Sequence, residues 1–238
     1  MSGHSKWSKV KHKKAIEDKK KGKIFSKLAR LISIAAKEGG GKPEMNTNLK
    51  MAIDKAKSFN MPQDNIERAI KKGTGEIEGA ILEELLLEAF GPGGVSILIQ
   101  AVTDNKNRSL SEIKKIIENF RGKMASGSVI WKFKKKGVIS FKFDKKEKEE
   151  LELLAIEEGA EDIKEKENIL EIYIKPEKFE DLKKKLEEKK IDIESSSIEF
   201  LPKEEIETDE ETKNKLETLF NSLDENEDVQ EIYSDLKT

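Results

Sequence analysis

The chain has 238 residues, of which 39% are charged and 35% hydrophobic, and its net charge at neutral pH is −2. It contains no cysteine, which excludes disulfides, thiolate metal sites and cysteine nucleophiles and is typical of a reducing cytoplasm. No apolar run approaches the roughly 18 residues of a membrane span, and the lysine-rich start is unlike a signal peptide. We therefore expect a soluble cytoplasmic protein with several small cores and no membrane partner.

The near-neutral total conceals a strong charge asymmetry along the chain. Residues 1–75 carry 19 basic and 7 acidic side chains, which is a net charge of +12. Residues 76–143 carry 11 basic against 8 acidic, and residues 144–238 carry 16 against 33, a net charge of −17. A strongly basic end of this kind indicates a polyanionic partner.

Residues 1–79 are predicted to form a basic arm and a helical domain. The first 22 residues are basic and aperiodic, which is typical of a mobile arm that becomes partly helical on binding. A first helix is predicted from Lys23 to Gly39, and two more after Pro43 and Pro62, the last ending at Gly73. The apolar positions at helical spacing predict a three-helix core of Ile24, Leu28, Leu31, Ile32, Ala35, Leu49, Ala52, Ile53, Ala56, Ile66, Ala69 and Ile70.

Residues 80–136 and 204–238 are predicted to form one discontinuous α/β domain. The turn Gly91-Pro92-Gly93-Gly94 between two apolar runs predicts a hairpin, and Ser109 with Glu112 is the pattern of a capping box that starts a helix. A strand is predicted at residues 129–133. The last helix, about 209–223, and the last strand, about 228–234, cannot bury their apolar faces alone, so we predict that they return to this sheet.

Residues 137–203 are predicted to form an inserted domain of their own. The apolar pattern predicts strand, helix, strand, strand, helix and strand in that order, which is the ferredoxin-like β-α-β-β-α-β arrangement. The predicted fold class is therefore α+β, with an N-terminal three-helix domain followed by two α/β domains.

The basic arm is the strongest candidate for a functional site, and its partner is predicted to be a nucleic acid. Lysines neutralise phosphates and release counterions, while Trp7 offers a flat face on which an unpaired base can stack. The candidate nucleic-acid-binding residues are His4, Lys6, Trp7, Lys9, Lys11, His12, Lys13, Lys14, Lys20, Lys21, Lys23, Lys27 and Arg30.

Other sites are less well supported by the residues. His4 and His12 lack a third metal ligand and are surrounded by lysines, so neither a metal nor a cofactor is expected. The glycine-rich turn at 91–94 lacks the lysine of a phosphate-binding loop and leads into a strand. An enzyme acting at residues 104–108 remains an alternative, as does a protein-interaction module that uses the α/β domains; the first of these predicts a deep pocket with a perturbed carboxylate.

Several stretches together resemble the YebC/PmpR family, which includes a mitochondrial translational activator. They run from the start of the chain to about residue 137 and read GHSKW, VKHKKA, GKIFSKLAR, NMPQDNIERAIKKGTGE, GPGGV, TDNKNRS and GSVIWKF.

The resemblance implies a three-domain protein without a known catalytic activity. Some members are described as probable transcriptional regulators that bind DNA, and others as ribosome-associated factors that help translation through proline runs. The family's basic N-terminal motif corresponds here to His4, Lys6, Trp7, Lys11, His12, Lys13 and Lys14. We therefore expect a non-enzymatic regulator that binds DNA, or alternatively ribosomal RNA or tRNA on the ribosome.

Overall fold

The structure is a computed structural model that describes residues 18–143, 147–166 and 168–237. Along the described chain the helices and strands are α1 (Asp18–Gly39), α2 (Thr47–Ser58), α3 (Gln63–Thr74), β1 (Glu83–Phe90), β2 (Ser96–Thr103), α4 (Lys106–Asn119), β3 (Lys123–Ala125), β4 (Phe133–Lys142), α5 (Lys148–Glu157), β5 (Asp162–Lys166), β6 (Ile169–Ile174), α6 (Phe179–Glu188), β7 (Ile193–Pro202), α7 (Glu210–Asp224) and β8 (Val229–Ser234). No helix among the described residues has the length and apolar character to cross a membrane.

The chain divides into two compact units. The first runs to Lys132 and resumes at Pro202, and the second comprises Phe133–Leu201. The first unit holds α1 to α3 together with the sheet β3-β1-β2-β8, and the second holds the sheet β5-β6-β4-β7. The α+β fold class predicted from the sequence is confirmed.

The three predicted helices of the basic end form a bundle around the expected core. The buried residues of this core are Leu28, Ile32, Ala35, Ala36, Leu49, Ala52, Ile53, Ala56, Met61, Ile66 and Ala69. Buried Asn46 fixes the junction of α1 and α2, since its side chain accepts from the Leu49 amide at 3.1 Å and donates to the Ala35 carbonyl at 2.7 Å.

Two predictions about helix ends are wrong. The first helix begins at Asp18, so the predicted arm of 22 residues overlaps helical chain. The third helix ends at Thr74 and is capped by Gly75, whose φ of 79° is the left-handed conformation that a glycine cap adopts. Gly73 lies inside α3, where an added Cβ would come within 2.2 Å of the Ser33 carbonyl oxygen on α1. Its lack of a side chain permits the close approach of two helices.

The first sheet is built on the predicted hairpin. β1 and β2 pair antiparallel with Phe90 opposite Ser96, and residues 91–94 form the turn between them. The last strand returns to this sheet as predicted, because β8 pairs antiparallel with β2 with Ser234 opposite Ile97. Helices α4 and α7 pack on the sheet and complete a core of Leu85, Ala89, Val95, Ile97, Ile99, Ala101, Ile113, Ile117, Leu216, Leu219, Phe220, Leu223, Val229 and Leu236.

Two local predictions in this sheet fail for reasons of hydrogen bonding. Helix α4 begins one turn before the predicted capping box, because the Asn105 side chain accepts from the Arg108 amide at 3.1 Å and caps it. Residues 129–133 are not a strand: Ile130–Lys132 is a 3₁₀ turn, and β4 starts only at Phe133. The amides of Val129 and Ile130 donate to the Glu88 carboxylate and are unavailable to a strand partner.

The second unit has the predicted ferredoxin-like arrangement. Its elements follow the order β4-α5-β5-β6-α6-β7, and the sheet order β5-β6-β4-β7 places the first and third strands in the centre. β6 pairs antiparallel with both β4 and β5. The fully buried side chains of the second unit include Phe141, Leu170, Ile172, Phe179, Leu182 and Leu186.

The close helix crossing at Gly73 predicts opposite effects for two glycine substitutions. Gly73→Ala should lower the free energy of unfolding by about 1–3 kcal/mol, because the new methyl group meets backbone of α1. Gly22→Ala, in the exposed first turns of α1 where a Cβ meets nothing within 4 Å, should raise it by up to about 1 kcal/mol. Urea unfolding followed by circular dichroism measures both. Equal effects of the two substitutions would contradict the proposed crossing.

Candidate nucleic-acid interface

Most of the arm predicted to bind nucleic acid lies outside the described residues. These positions remain predictions and are His4, Lys6, Trp7, Lys9, Lys11, His12, Lys13 and Lys14. Lys20 belongs to the first turn of α1, and Lys21 and Lys23 follow it on the same helix with exposed side chains. The described part of the predicted site therefore lies on α1.

Lys27 and Arg30 lie further along α1 and are used by the fold. Lys27 is 12% exposed, and its Nζ donates to the Asp224 carbonyl at 2.5 Å and to the Asp224 carboxylate at 3.3 Å. Arg30 forms an ion pair with Asp228 and donates to the Val102 carbonyl at 3.3 Å. The sequence assigned both cations to a nucleic acid, but the structure directs them to the C-terminal part of the first unit. A phosphate would have to displace these carboxylate partners, so the geometry weighs against both positions, and their assignment stays a prediction.

Asp228 is the centre of this contact. Its side chain is 4% exposed and accepts hydrogen bonds from Ser109 Oγ at 2.5 Å, from Thr103 Oγ1 at 3.2 Å and from the guanidinium groups of Arg108 (Nη2 at 3.0 Å) and Arg30. Burial raises the pKa of Asp228, but the hydrogen bonds from Ser109, Arg108 and Arg30 lower it more, so the pKa lies below its ordinary value. The carboxylate is therefore ionised and fully engaged.

The sequence could not identify Asp228 as the partner of residues 103–109. It did identify the stretch itself, and assigned it to turn formation with an enzyme as the alternative. Asp104 is exposed and pairs with Arg108 at 2.8 Å, and Asp228 is held as an anion that is a poor proton acceptor. Among the described residues no group of three or more His, Cys, Asp or Glu side chains could hold a metal ion. The geometry supports a structural role for this turn, and the absence of catalysis stays a prediction.

Helix α3 carries a set of cations that the sequence analysis did not single out. Arg68, Lys71 and Lys72 are exposed, and their spacing of three and four residues places them on one face of the helix. None of the three has a carboxylate partner within residues 18–143, 147–166 and 168–237. The spacing of Lys71 and Lys72 from Arg68 is visible in the sequence, but their lack of an acidic partner in the described chain is not.

Two groups of bundle cations thus differ in their partners. The first is neutralised by the rest of the first unit: Lys27 by Asp224, Arg30 by Asp228, and Lys55 by Glu231. Those of α3, together with Lys23 on α1, have no acidic partner in the described chain. A polyanion could approach this second group without displacing an existing ion pair.

Comparison with known proteins places these features in a family. The family model described as the TACO1/YebC protein N-terminal domain matches residues 5–76, and the one described as the TACO1/YebC second and third domain matches residues 82–236. The chain belongs to the TACO1/YebC family. The family models cover the bundle with most of the basic arm, and both sheets.

Relatives of this TACO1/YebC chain match it over nearly its whole length. A protein of Halothermothrix orenii is 46% identical over 98% of this chain and 94% of its own, and one of Thermotoga maritima is 46% identical over 100% and 94%. Both are named "Probable transcriptional regulatory protein". The crystal structure of a conserved hypothetical protein from Aquifex aeolicus matches with a TM-score of 0.84 at 43% identity, covering 96% of this chain and 95% of that one.

The buried carboxylate predicts a distinctive dependence of stability on pH. Because the pKa of Asp228 is lowered by folding, the ionised group stabilises the fold above the unfolded value of about 3.9, and this contribution disappears as the pH falls through the folded value. Asp228→Asn should lower the free energy of unfolding at pH 7 by about 2 kcal/mol and reduce its dependence on acid pH.

The matched control for this prediction is Asp104→Asn, which removes the exposed partner of Arg108 and should change stability by less than about 1 kcal/mol. Thermal and urea unfolding between pH 2 and pH 7 measure both variants. Equal losses of stability in the two variants, or an unchanged acid dependence in Asp228→Asn, would show that Asp228 is not the critical group.

Proposed function

We propose that this protein is a non-enzymatic, nucleic-acid-binding regulator that binds phosphates with its helical bundle and basic arm. The observation that carries the proposal is the exposed cationic face of α3, formed by Arg68, Lys71 and Lys72 without acidic partners in the described chain. Cations placed in this way bind a phosphate backbone because they release its condensed counterions.

The beginning of α1 adds further exposed cations to this proposal. Lys21 and Lys23 are exposed there, and the five lysines of residues 1–14 precede them in the sequence. Together with α3, these residues supply enough positive charge for the 6–10 phosphate contacts that make binding steeply dependent on salt.

Duplex DNA is the target that we propose first. The names of the relatives from Halothermothrix orenii and Thermotoga maritima describe transcriptional regulators, which supports DNA. Unpaired RNA, as in ribosomal RNA or tRNA on the ribosome, is the alternative, and the indole of Trp7 within the lysine-rich arm favours it because a duplex leaves few base faces open for stacking. In either case the protein would act in the cytoplasm.

A triple substitution on α3 tests the proposal directly. Arg68→Ala, Lys71→Ala and Lys72→Ala together should weaken binding to duplex DNA and lower the slope of log affinity against log salt by about 0.9 for each phosphate that is no longer neutralised. The affinity is measured by fluorescence anisotropy from low to moderate salt, with a duplex and with a ribosomal RNA hairpin of equal length. The nucleic acid that binds with the higher affinity identifies whether DNA or RNA is the preferred target.

The control carries the same charge change elsewhere in the first unit. Lys114→Ala, Lys213→Ala and Lys215→Ala remove three lysines that already pair with neighbouring glutamates on α4 and α7. This variant should retain the wild-type salt slope. If both triple variants bind equally, or if the wild-type protein binds neither DNA nor RNA at low salt, the proposal fails.

A further inference from the structure

An indole on the first unit is exposed to solvent and has no role in the core. Trp131 is 61% exposed and its neighbour Ile130 is 41% exposed, on the 3₁₀ turn that precedes β4. Large apolar side chains that are exposed next to each other are typical of a surface that binds a partner molecule.

The turn that carries Trp131 is held rigidly. The carboxylate of Glu88 on β1 accepts from the amides of Gly127 at 2.8 Å, Val129 at 2.5 Å and Ile130 at 3.0 Å, and Val129 is fully buried. Burial raises the pKa of Glu88, but these backbone donors lower it more, so the carboxylate is ionised and its charge is balanced by the turn. The backbone that carries the indole is therefore already fixed before binding, which lowers the ordering cost.

Cations lie close to this indole and to a second aromatic ring of the first unit. Lys203 Nζ lies 6.0 Å from the centre of the Trp131 ring, and Lys132 Nζ and Lys123 Nζ lie 5.6 and 5.7 Å from the centre of the Phe90 ring. Arg121 lines a shallow groove with Phe90 and Lys123. Lys132 follows Trp131 in the chain and approaches the Phe90 ring, so it links the two groups. We call the linked set the aromatic–cation strip; its members are Phe90, Arg121, Lys123, Trp131, Lys132 and Lys203.

The acidic group that pairs with a cation of the strip is turned away from solvent. Asp235 is 2% exposed at its side chain, accepts from the Ser96 amide at 2.7 Å and lies 3.7 Å from Lys132 Nζ. Lys132 is thereby neutralised, whereas Arg121, Lys123 and Lys203 are exposed without a carboxylate partner among the described residues. The strip thus presents aromatic faces between positive charges.

We infer that the aromatic–cation strip binds an unpaired nucleic-acid strand, with a base stacked on Trp131 and phosphates held by Lys203, Lys123 and Arg121. Alternation of aromatic rings with cations is the arrangement by which proteins hold single strands with little regard to sequence. The inference rests on the proposed function and adds to it a second contact, on the sheet and not on the bundle. A protein partner could pack on Trp131 and Ile130, but only an acidic protein would also pair with the three exposed cations.

The fluorescence of Trp131 reports directly on this site. The chain has two tryptophans, so in the full-length Trp7→Phe variant Trp131 is the sole indole. Titration with a twelve-nucleotide thymidine strand or a twelve-nucleotide uridine strand should quench its emission saturably, and a twelve-base-pair duplex should quench it much less. Comparison of the two strands separates DNA from RNA as the source of the unpaired bases.

A second measurement separates this inference from the proposed function. Anisotropy of labelled strands and duplex records total binding, and Trp131→Ala should weaken single-strand affinity about tenfold while leaving duplex affinity unchanged. Trp131→Phe should restore part of the single-strand affinity, and equal thermal melting of the variants checks that the fold is intact.

Two results would overturn the inference. If labelled strands bind while Trp131 emission stays constant, the strip is not their site, and the proposed function survives; a strip that serves a protein partner gives this result. If Trp131→Ala weakens duplex and single strand equally, stacking of an unpaired base is wrong. Failure of every strand and duplex to bind at low salt would reject both proposals together.

Discussion

The buried carboxylate of Asp228 is the interaction on which the arrangement of the first unit depends. It joins α1 through Arg30, the start of α4 through Arg108 and Ser109, and the turn before β8, which are far apart in sequence. A buried charge is costly unless it is paired and hydrogen-bonded. The three segments therefore have to come together for the carboxylate to be satisfied.

The ion pairs around Asp228 also show that the acidic C-terminal region neutralises only some of the cations of the basic N-terminal region. Asp224, Asp228 and Glu231 meet Lys27, Arg30 and Lys55, which are the cations that face them. The cations of α3 keep no such partner in the described chain, so these carboxylates do not offset their positive charge. The acidic side chains thus neutralise one set of bundle cations and leave those of α3 available to a polyanion.

Much of the fold was predictable because it follows from local periodicity. Spacings of three and four indicated the bundle core, and the glycine-rich turn between two apolar runs indicated the hairpin. The apolar pattern indicated the ferredoxin-like unit, and the inability of a lone helix and strand to bury their faces led to the prediction that β8 returns to this sheet. Two of the failures have a non-local cause. Side chains from elsewhere determined the turn at residues 130–132, through Glu88, and a close crossing determined the role of Gly73.

The candidate site was predictable only in part for the same reason. A lysine in a basic stretch gives no sign of whether a distant carboxylate will meet it, so Lys27 and Arg30 could not be distinguished from Lys23 by sequence. The exposure of Trp131 was equally invisible, since the sequence predicted residues 129–133 to be a strand and apolar strand residues usually belong to a core. Only the folded structure distinguishes side chains that form ion pairs within the protein from side chains that remain available to a binding partner.

The claim that Lys27 and Arg30 serve the fold is tested most directly by the salt dependence of nucleic-acid affinity in the double variant Lys27→Gln, Arg30→Gln. If the ion pairs engage both cations, the variant is less stable, but its slope of log affinity against log salt equals that of the wild type because neither cation contacts phosphate. A slope reduced by about 0.9 for each cation removed, with stability unchanged, would contradict it.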